Sequence, residues 1–179
     1  DEKNLKSFED YFYLLKYGRD SEEIRSLYDS VTTNETSFFR EPQQLETFIG
    51  TVLQKIAETN HQSGRKILKI WSAACSTGEE PYTLALMLLE SAVAKKMTLD
   101  IQASDISEGV INSARKAVYS SYALRNVPDL YLRKYFTNSN QSHSLNQTIK
   151  SMVKFSNMNL LDEKKMKLMR NTDVIFCRN

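Results

Sequence analysis

The stretch that most limits what this chain can become is Ile67–Thr83, ILKIWSAACSTGEEPYT. It opens with a short continuous apolar run, Ile67–Trp71, of the kind expected for a buried strand. The small residues Ser72, Ala73, Ala74, Cys75, Ser76, Thr77 and Gly78 follow and leave room for a tight turn. Glu79-Glu80-Pro81 then leads into Leu84 and Leu86–Leu89 at helical spacing, and acids and proline suit a first helical turn. Strand, small-residue turn and helix N-terminus together form the crevice in which α/β proteins hold nucleotide-like ligands.

The residues of the turn narrow the ligand. A phosphate loop needs a lysine after its last glycine, and here Glu79 stands in that place. A dinucleotide fingerprint needs three spaced glycines, and only Gly78 is present. Carboxylates in place of a lysine suit a ligand carrying an amine and ribose hydroxyls, as S-adenosylmethionine does. A turn of the same spacing that serves structure alone is the alternative.

The segment WSAACSTGEEPYTLAL closely resembles the nucleotide-binding segment of the chemotaxis receptor methyltransferases, which esterify glutamates on bacterial chemoreceptors. Further matches follow in the family's order: TTNETSFFRE (Thr32–Glu41), ASDIS (Ala103–Ser107), the Tyr119–Phe136 region, FSNMNLL (Phe155–Leu161) and DVIFCRN (Asp173–Asn179). The resemblance implies an α/β fold, a Rossmann-like S-adenosylmethionine-dependent methyltransferase sheet with a small N-terminal helical domain and a small β-subdomain insertion. It implies protein-glutamate O-methyltransferase activity, with the cytoplasmic part of methyl-accepting chemoreceptors as partner and a monomeric enzyme. Among site residues it implies Glu79 for the methionine ammonium, Arg40 for its carboxylate, Asp105 for the ribose, and Asn159 and Leu160 for the adenine. Asn34, Thr36 and Asn179 would line the same pocket. The fold of this family continues beyond Asn179, so the sheet is expected to be incomplete at its C-terminal side, and catalytic residues past that point are not assigned.

The residues themselves support parts of this picture. Arg40 has the planar fork that holds a carboxylate bidentately. Asp105 lies 27 residues beyond Gly78, close to where a nucleotide-binding unit places its ribose-holding acid. Ser107 is the expected cap of a helix over Glu108–Ala117, leaving Asp105 free. On its own, Thr-Thr-Asn-Glu reads as a turn capping the next helix, with Glu35 pairing with Thr32 or Thr33.

Elsewhere the chain reads as helices over residues 4–17, with Gly18 as a stop, from Ser21 to about Tyr28, and from Pro42 to about Thr59. Lys6, Lys16, Arg19 and Arg25 on the first two are either a solvated face or, by resemblance, a face for an acidic receptor helix. The polar linker Asn60–Lys66 is the expected boundary between a helical part (1–60) and the sheet domain (61–179). Residues 118–150 read as an insertion with a short helix and a surface loop over Thr137–Asn146. By resemblance a small β-subdomain stands there, and some family members bind a receptor tail on it as an edge strand. The tail-binding members carry a glycine-rich loop that Thr137–Asn146 lacks. Strands are expected over Met152–Asn159 and Asp173–Cys177, with a short basic helix, Asp162–Met169, between them.

Composition excludes other classes. With 41% hydrophobic and 26% charged residues the chain has the balance of a globular domain. The longest apolar stretch is far too short for a membrane span, and no secretory segment opens the chain. A net charge of +2 does not suggest a nucleic-acid binder. Cys75 and Cys177 have no metal-ligand spacing, and His61 and His143 lie in polar surroundings, so no metal is expected. A reduced cytosolic enzyme fits best. The rival readings are a non-catalytic module that senses the cofactor or docks, and a methyltransferase for another substrate.

Overall fold

The structure is a computed structural model that describes residues 5, 7–18, 21–31, 35–139 and 142–178. It divides into two compact units, Asp1–Thr33 and Asn34–Asn179. The first contains α1 (Phe8–Tyr17) and α2 (Ser21–Val31). Ser7 caps α1 by accepting from the Asp10 N–H at 3.1 Å, and the Gly18 N–H closes its end on the Leu14 carbonyl, where a stop was expected. Of the expected cationic face, Lys6 and Arg19 lie outside the described residues, while Lys16 sits over the Phe12 and Tyr17 rings.

The second unit begins with a long helix in three parts: α3 (Pro42–Thr47), a π-helical turn (Phe48–Val52) and α4 (Leu53–Gln62). Pro42 occupies its start, as the sequence suggests, but the cap is Glu41 in a left-handed conformation, with no side-chain cap bond. The expected cap residues Thr32 and Thr33 lie outside the described residues. Leu45, Phe48 and Leu53 from this helix are buried in the same core as Leu68, Ile70 and Leu84. The division of the chain therefore falls after Thr33 and not near residue 60, because the helix shares the sheet's core.

The sheet is built from β1 (Ile67–Ala73), β2 (Thr98–Asp105), β6 (Val153–Asn157) and β7 (Val174–Cys177), all parallel, in the order β6-β2-β1-β7. Helix α5 (Glu79–Glu90) carries the chain from β1 to β2, and α6 (Glu108–Lys116) follows β2. The chain steps outward from β1 to β2 to β6, then returns to the other side of β1 for β7. The reversal puts a topological switch point at the C-terminal ends of β1 and β7, where open α/β sheets bind ligands. Asp173 docks β7 by accepting from the Lys69 N–H at 2.8 Å and from both Arg65 guanidinium nitrogens, at 2.6 and 3.0 Å.

Between β2 and β6 lies a second, antiparallel sheet, β3-β5-β4, made of β3 (Val118–Tyr119), β4 (Phe136–Ser139) and β5 (Ser142–Leu145), with α7 (Asp129–Tyr135) ahead of β4. The expected surface loop over Thr137–Asn146 is thus mostly a hairpin. FTNS and SHSL lack an apolar alternation, and their strand character comes from pairing, including the Leu145 N–H to the Ala117 carbonyl. Helix α8 (Gln147–Lys150) leads into β6, and α9 (Glu163–Met166) with a 3₁₀ turn precedes β7. Among the described residues no helix is long and apolar enough to cross a membrane.

Candidate functional site

The small-residue run after β1 folds as a turn with repeated left-handed residues: Ala74 (φ 57°), Ser76 (φ 48°) and Gly78 (φ 92°). Such conformations persist only where the surroundings fix them. Here the Cys75 N–H donates to the Ser104 carbonyl at 2.9 Å, the Gly78 N–H to the Cys75 carbonyl at 3.0 Å, and the Tyr119 hydroxyl to the Thr77 carbonyl at 2.9 Å. A Cβ on Gly78 would come within 3.0 Å of the Ala114 Cβ, 3.2 Å of Tyr82 Cε2 and 3.3 Å of Phe155 Cζ. Glycine is needed for both backbone and space. Below the turn, Trp71 donates its indole N–H to Ser104 Oγ at 2.9 Å, joining β1 to β2. Burial raises the Cys75 thiol pKa far above its ordinary value, with the nearby Asp105 adding to the shift, which disfavours the thiolate.

Three carboxylates are buried around this turn: Glu79, Glu80 and Asp105. Asp105, the last residue of β2, accepts from the Ser76 N–H at 2.8 Å with one oxygen and from the Ser107 N–H at 3.0 Å with the other. Ser107 caps α6 by accepting from Val110, as expected. Asp105 is therefore not free, but ties the turn to the end of β2, and each oxygen keeps a further lone pair for a hydroxyl donor. Glu80 is answered by the Ser72 hydroxyl at 2.7 Å and by an ion pair with Arg178, just past β7. The sequence offered no sign of that pair.

Glu79 differs. Both of its oxygens face the Thr77 hydroxyl, at 2.9 and 2.7 Å, and no cation among the described residues pairs with it. Burial raises its pKa from the ordinary carboxylate value, against lowering by the Thr77 hydroxyl and its own backbone amide. A ligand's ammonium beside such a carboxylate would favour its charged form and offset the burial cost.

The other expected residues fall into two places. The segment carrying Thr36 and Arg40 abuts the start of α5: the Phe39 N–H donates to Thr83 Oγ1 at 3.1 Å, and that hydroxyl donates to the Glu79 carbonyl at 2.7 Å. Arg178 donates to the Arg40 carbonyl at 3.0 Å. Thr36 and Arg40 line a cavity of about 620 Å³ together with Glu35, Phe39 and Arg125. The Arg40 guanidinium is turned to the Glu35 carbonyl at 3.2 Å, so it is not poised on a carboxylate in this conformation. Asn159 and Leu160 are exposed just beyond β6, with Asn159 Oδ1 accepting from the Leu161 N–H at 2.9 Å. The neighbouring Asn157, which the sequence reading passed over, donates to the Ile106 carbonyl at 2.7 Å and fastens β6 beside β2. Asn34 and Asn179 lie outside the described residues.

Residues 34–179 match the family model described as "CheR methyltransferase, SAM binding domain". The chain belongs to the CheR methyltransferase family. It is 37% identical to chemotaxis protein methyltransferase 2 of Vibrio cholerae, over 97% of this chain and 60% of that one. It is 34% identical to the chemotaxis protein methyltransferase of Borreliella burgdorferi, over 99% of this chain and 63% of that one. A probable biofilm formation methyltransferase, WspC of Pseudomonas putida, is 30% identical over 93% of this chain and 38% of its own length. The chain thus spans about three fifths of the length of the two chemotaxis relatives.

S-adenosylmethionine is the cofactor of this CheR domain, and the turn is chemically suited to it. The unpaired buried Glu79 matches an amino group, and Asp105 retains acceptor capacity for hydroxyls. Among the described residues no cluster of His, Cys, Asp or Glu could hold a metal ion.

Proposed function

We propose that this chain carries the methyl-transfer site of a protein-glutamate O-methyltransferase that forms glutamate methyl esters on the cytoplasmic part of chemoreceptors. The observation that carries the reading is Glu79, buried with only a hydroxyl and its own amide for company, in a CheR domain. In this reading Glu79 takes the methionine ammonium and Asp105 the ribose hydroxyls. Arg40 swings from the Glu35 carbonyl to the methionine carboxylate, with Thr36 beside it, while Asn159 and Leu160 hold the adenine, and Asn34 and Asn179 complete the pocket.

The cofactor supplies an electrophilic methyl group on a sulfonium. The acceptor is a glutamate side chain, already ionised at neutral pH since its reference pKa is about 4.3. No general base is required. The work left to the protein is alignment and exclusion of water, worth at best about 7–11 kcal/mol. The left-handed turn and its carboxylates are rigid parts suited to that task.

The test is incubation of the full-length protein with methyl-labelled S-adenosylmethionine and receptor-bearing membranes, followed by mild base. Label that joins receptor protein and leaves as methanol supports a carboxyl methyl ester, and Asp105→Ala should abolish it together with S-adenosylhomocysteine binding. Label on nucleic acid or a small molecule would overturn the substrate. Cofactor binding without transfer would leave a sensing or docking module.

A further inference from the structure

A second cavity, of about 710 Å³, lies at the opposite end of the sheet from the cofactor turn. Its walls are one side of α4 from Gln54 to Gln62, the Gly64–Lys66 loop entering β1, and Val93, Lys96 and Met97 ahead of β2. The seven residues of β1 separate it from that turn, a span of about 20 Å at the usual rise per residue. A molecule bound here would touch none of the residues assigned to the methyl donor.

The walls are held in place by the backbone. Asn60 donates its side-chain amide to the Ile67 carbonyl at 3.1 Å, the Arg65 N–H reaches the Asn60 carbonyl at 2.7 Å, and the Thr98 N–H reaches the Lys66 carbonyl at 2.7 Å. These bonds fix the end of α4 against the starts of both central strands, so the cavity is formed before anything enters. Its volume falls in the range of small-molecule sites, about 300–1,000 Å³.

The lining is amphipathic. Ala57, Val93 and Met97 supply apolar surface, while Arg65, Lys66 and Lys96 bring cations against one acid, Glu58. Arg65 is committed to Asp173. Lys66 and Lys96 are exposed, and among the described residues neither ammonium has a hydrogen-bond or ion-pair partner.

We propose that this cavity is a second binding site, for an amphipathic anion with an apolar or aromatic body and a single carboxylate, sulfonate or phosphate group. The body covers Ala57, Val93 and Met97, and the anion lies between Lys66 and Lys96. The site stands apart from methyl transfer and does not rest on the receptor assignment.

The probe is 8-anilinonaphthalene-1-sulfonate, an aromatic monoanion that fluoresces when shielded from water. The expected result is saturable binding at one site, unchanged by saturating S-adenosylhomocysteine. Replacing both lysines, Lys66→Glu with Lys96→Glu, should weaken binding about tenfold or more, the effect of losing a charge-assisted contact. Ala57→Trp, which fills the apolar floor, should weaken it similarly. Should the charge-reversed chain lose its circular dichroism, the Lys66→Gln, Lys96→Gln pair gives the same reading. The proposal is overturned if the lysine variants bind as tightly as the parent. Equal affinity for the neutral analogue N-phenyl-1-naphthylamine, or displacement by S-adenosylhomocysteine, would overturn it as well.

Discussion

Substituting alanine for each of three glycines separates the backbone and packing demands of the turn after β1 from those of two positions outside it. Gly78 has φ +92°, and a Cβ there would meet Ala114 at 3.0 Å, Tyr82 at 3.2 Å and Phe155 at 3.3 Å. Tyr82 is pinned by its hydroxyl to the Ala114 carbonyl at 3.0 Å, so the neighbours have little room to yield. The left-handed backbone costs an alanine about 1–2 kcal/mol. Forcing a methyl group into a filled core costs about 1–3 kcal/mol more. Gly78→Ala should therefore destabilise the chain by about 2–5 kcal/mol. Gly64 is also left-handed, with φ +70°, but a Cβ there has nothing within 4 Å. Gly64→Ala should show the backbone cost alone, about 1–2 kcal/mol. Gly50, in the π-helical turn, has neither constraint. Gly50→Ala should stabilise by about 0.4–1 kcal/mol, by narrowing the unfolded ensemble.

Trp71, the chain's single tryptophan, is buried on β1 and gives an intrinsic fluorescence signal for urea unfolding. The three midpoints, read at a common slope, should rank Gly50→Ala above the parent, then Gly64→Ala, then Gly78→Ala. If Gly78→Ala matches Gly64→Ala, the close approach of α6 and β6 to the turn is wrong. If Gly78→Ala matches the parent, the turn is not held in the left-handed conformation at all.

Three further outcomes follow from single side chains. Ser104→Ala strands the buried Trp71 N–H, which should cost about 1–3 kcal/mol and shift the indole emission; unchanged emission and midpoint would refute the bond. Arg178→Ala leaves Glu80 buried beside Ser72 alone, a loss of about 3 kcal/mol that Glu80→Leu in the same chain should partly restore; a double-mutant cycle with no coupling would sink the ion pair. Glu79 has a folded pKa raised by burial, so its contribution to stability is fully present below the ordinary carboxylate range and is lost as pH rises through the folded value. Glu79→Gln should therefore gain stability over the parent as pH rises from about 4 towards neutrality, while binding S-adenosylhomocysteine more weakly; a stability difference that does not change with pH would refute the raised pKa.

The strand, turn and helix over residues 67–90 were legible because each obeys a local rule: an apolar run for a strand buried on both faces, small residues for a tight turn, and leucines at helical spacing. The Ser107 cap and the stop at Gly18 were legible for the same reason. The β4-β5 hairpin was not legible in the residue pattern, because neither strand carries an apolar alternation and only its partners make it a strand; the small β-subdomain there was implied by the family resemblance alone. The spacing of the helix from Pro42 shows an apolar face but not which core that face joins. Distant pairs were equally silent. Glu80 and Arg178 are 98 positions apart, and Trp71 and Ser104 are 33 apart, so only the order of strands brings them together.

The three buried carboxylates are compensated unequally, and on the proposed function that inequality serves a cationic ligand. Asp105 and Glu80 are met by internal donors, two backbone amides for the one and a hydroxyl with a guanidinium for the other. These contacts hold β1, β2 and β7 together at the switch point, while each Asp105 oxygen keeps a further lone pair. Glu79 occupies the same buried end of the sheet, but its neighbours supply only a neutral hydroxyl and an amide. A cation placed beside it by the fold itself would remove the burial cost, and with it the preference for an incoming ammonium. On the proposed function, leaving Glu79 unpaired keeps that interaction in reserve for the ligand, at the expense of stability in the empty protein. Ligand binding and stability are then linked through one side chain, since a molecule that binds only the folded state adds about 2.7 kcal/mol of stability at a hundred times its dissociation constant.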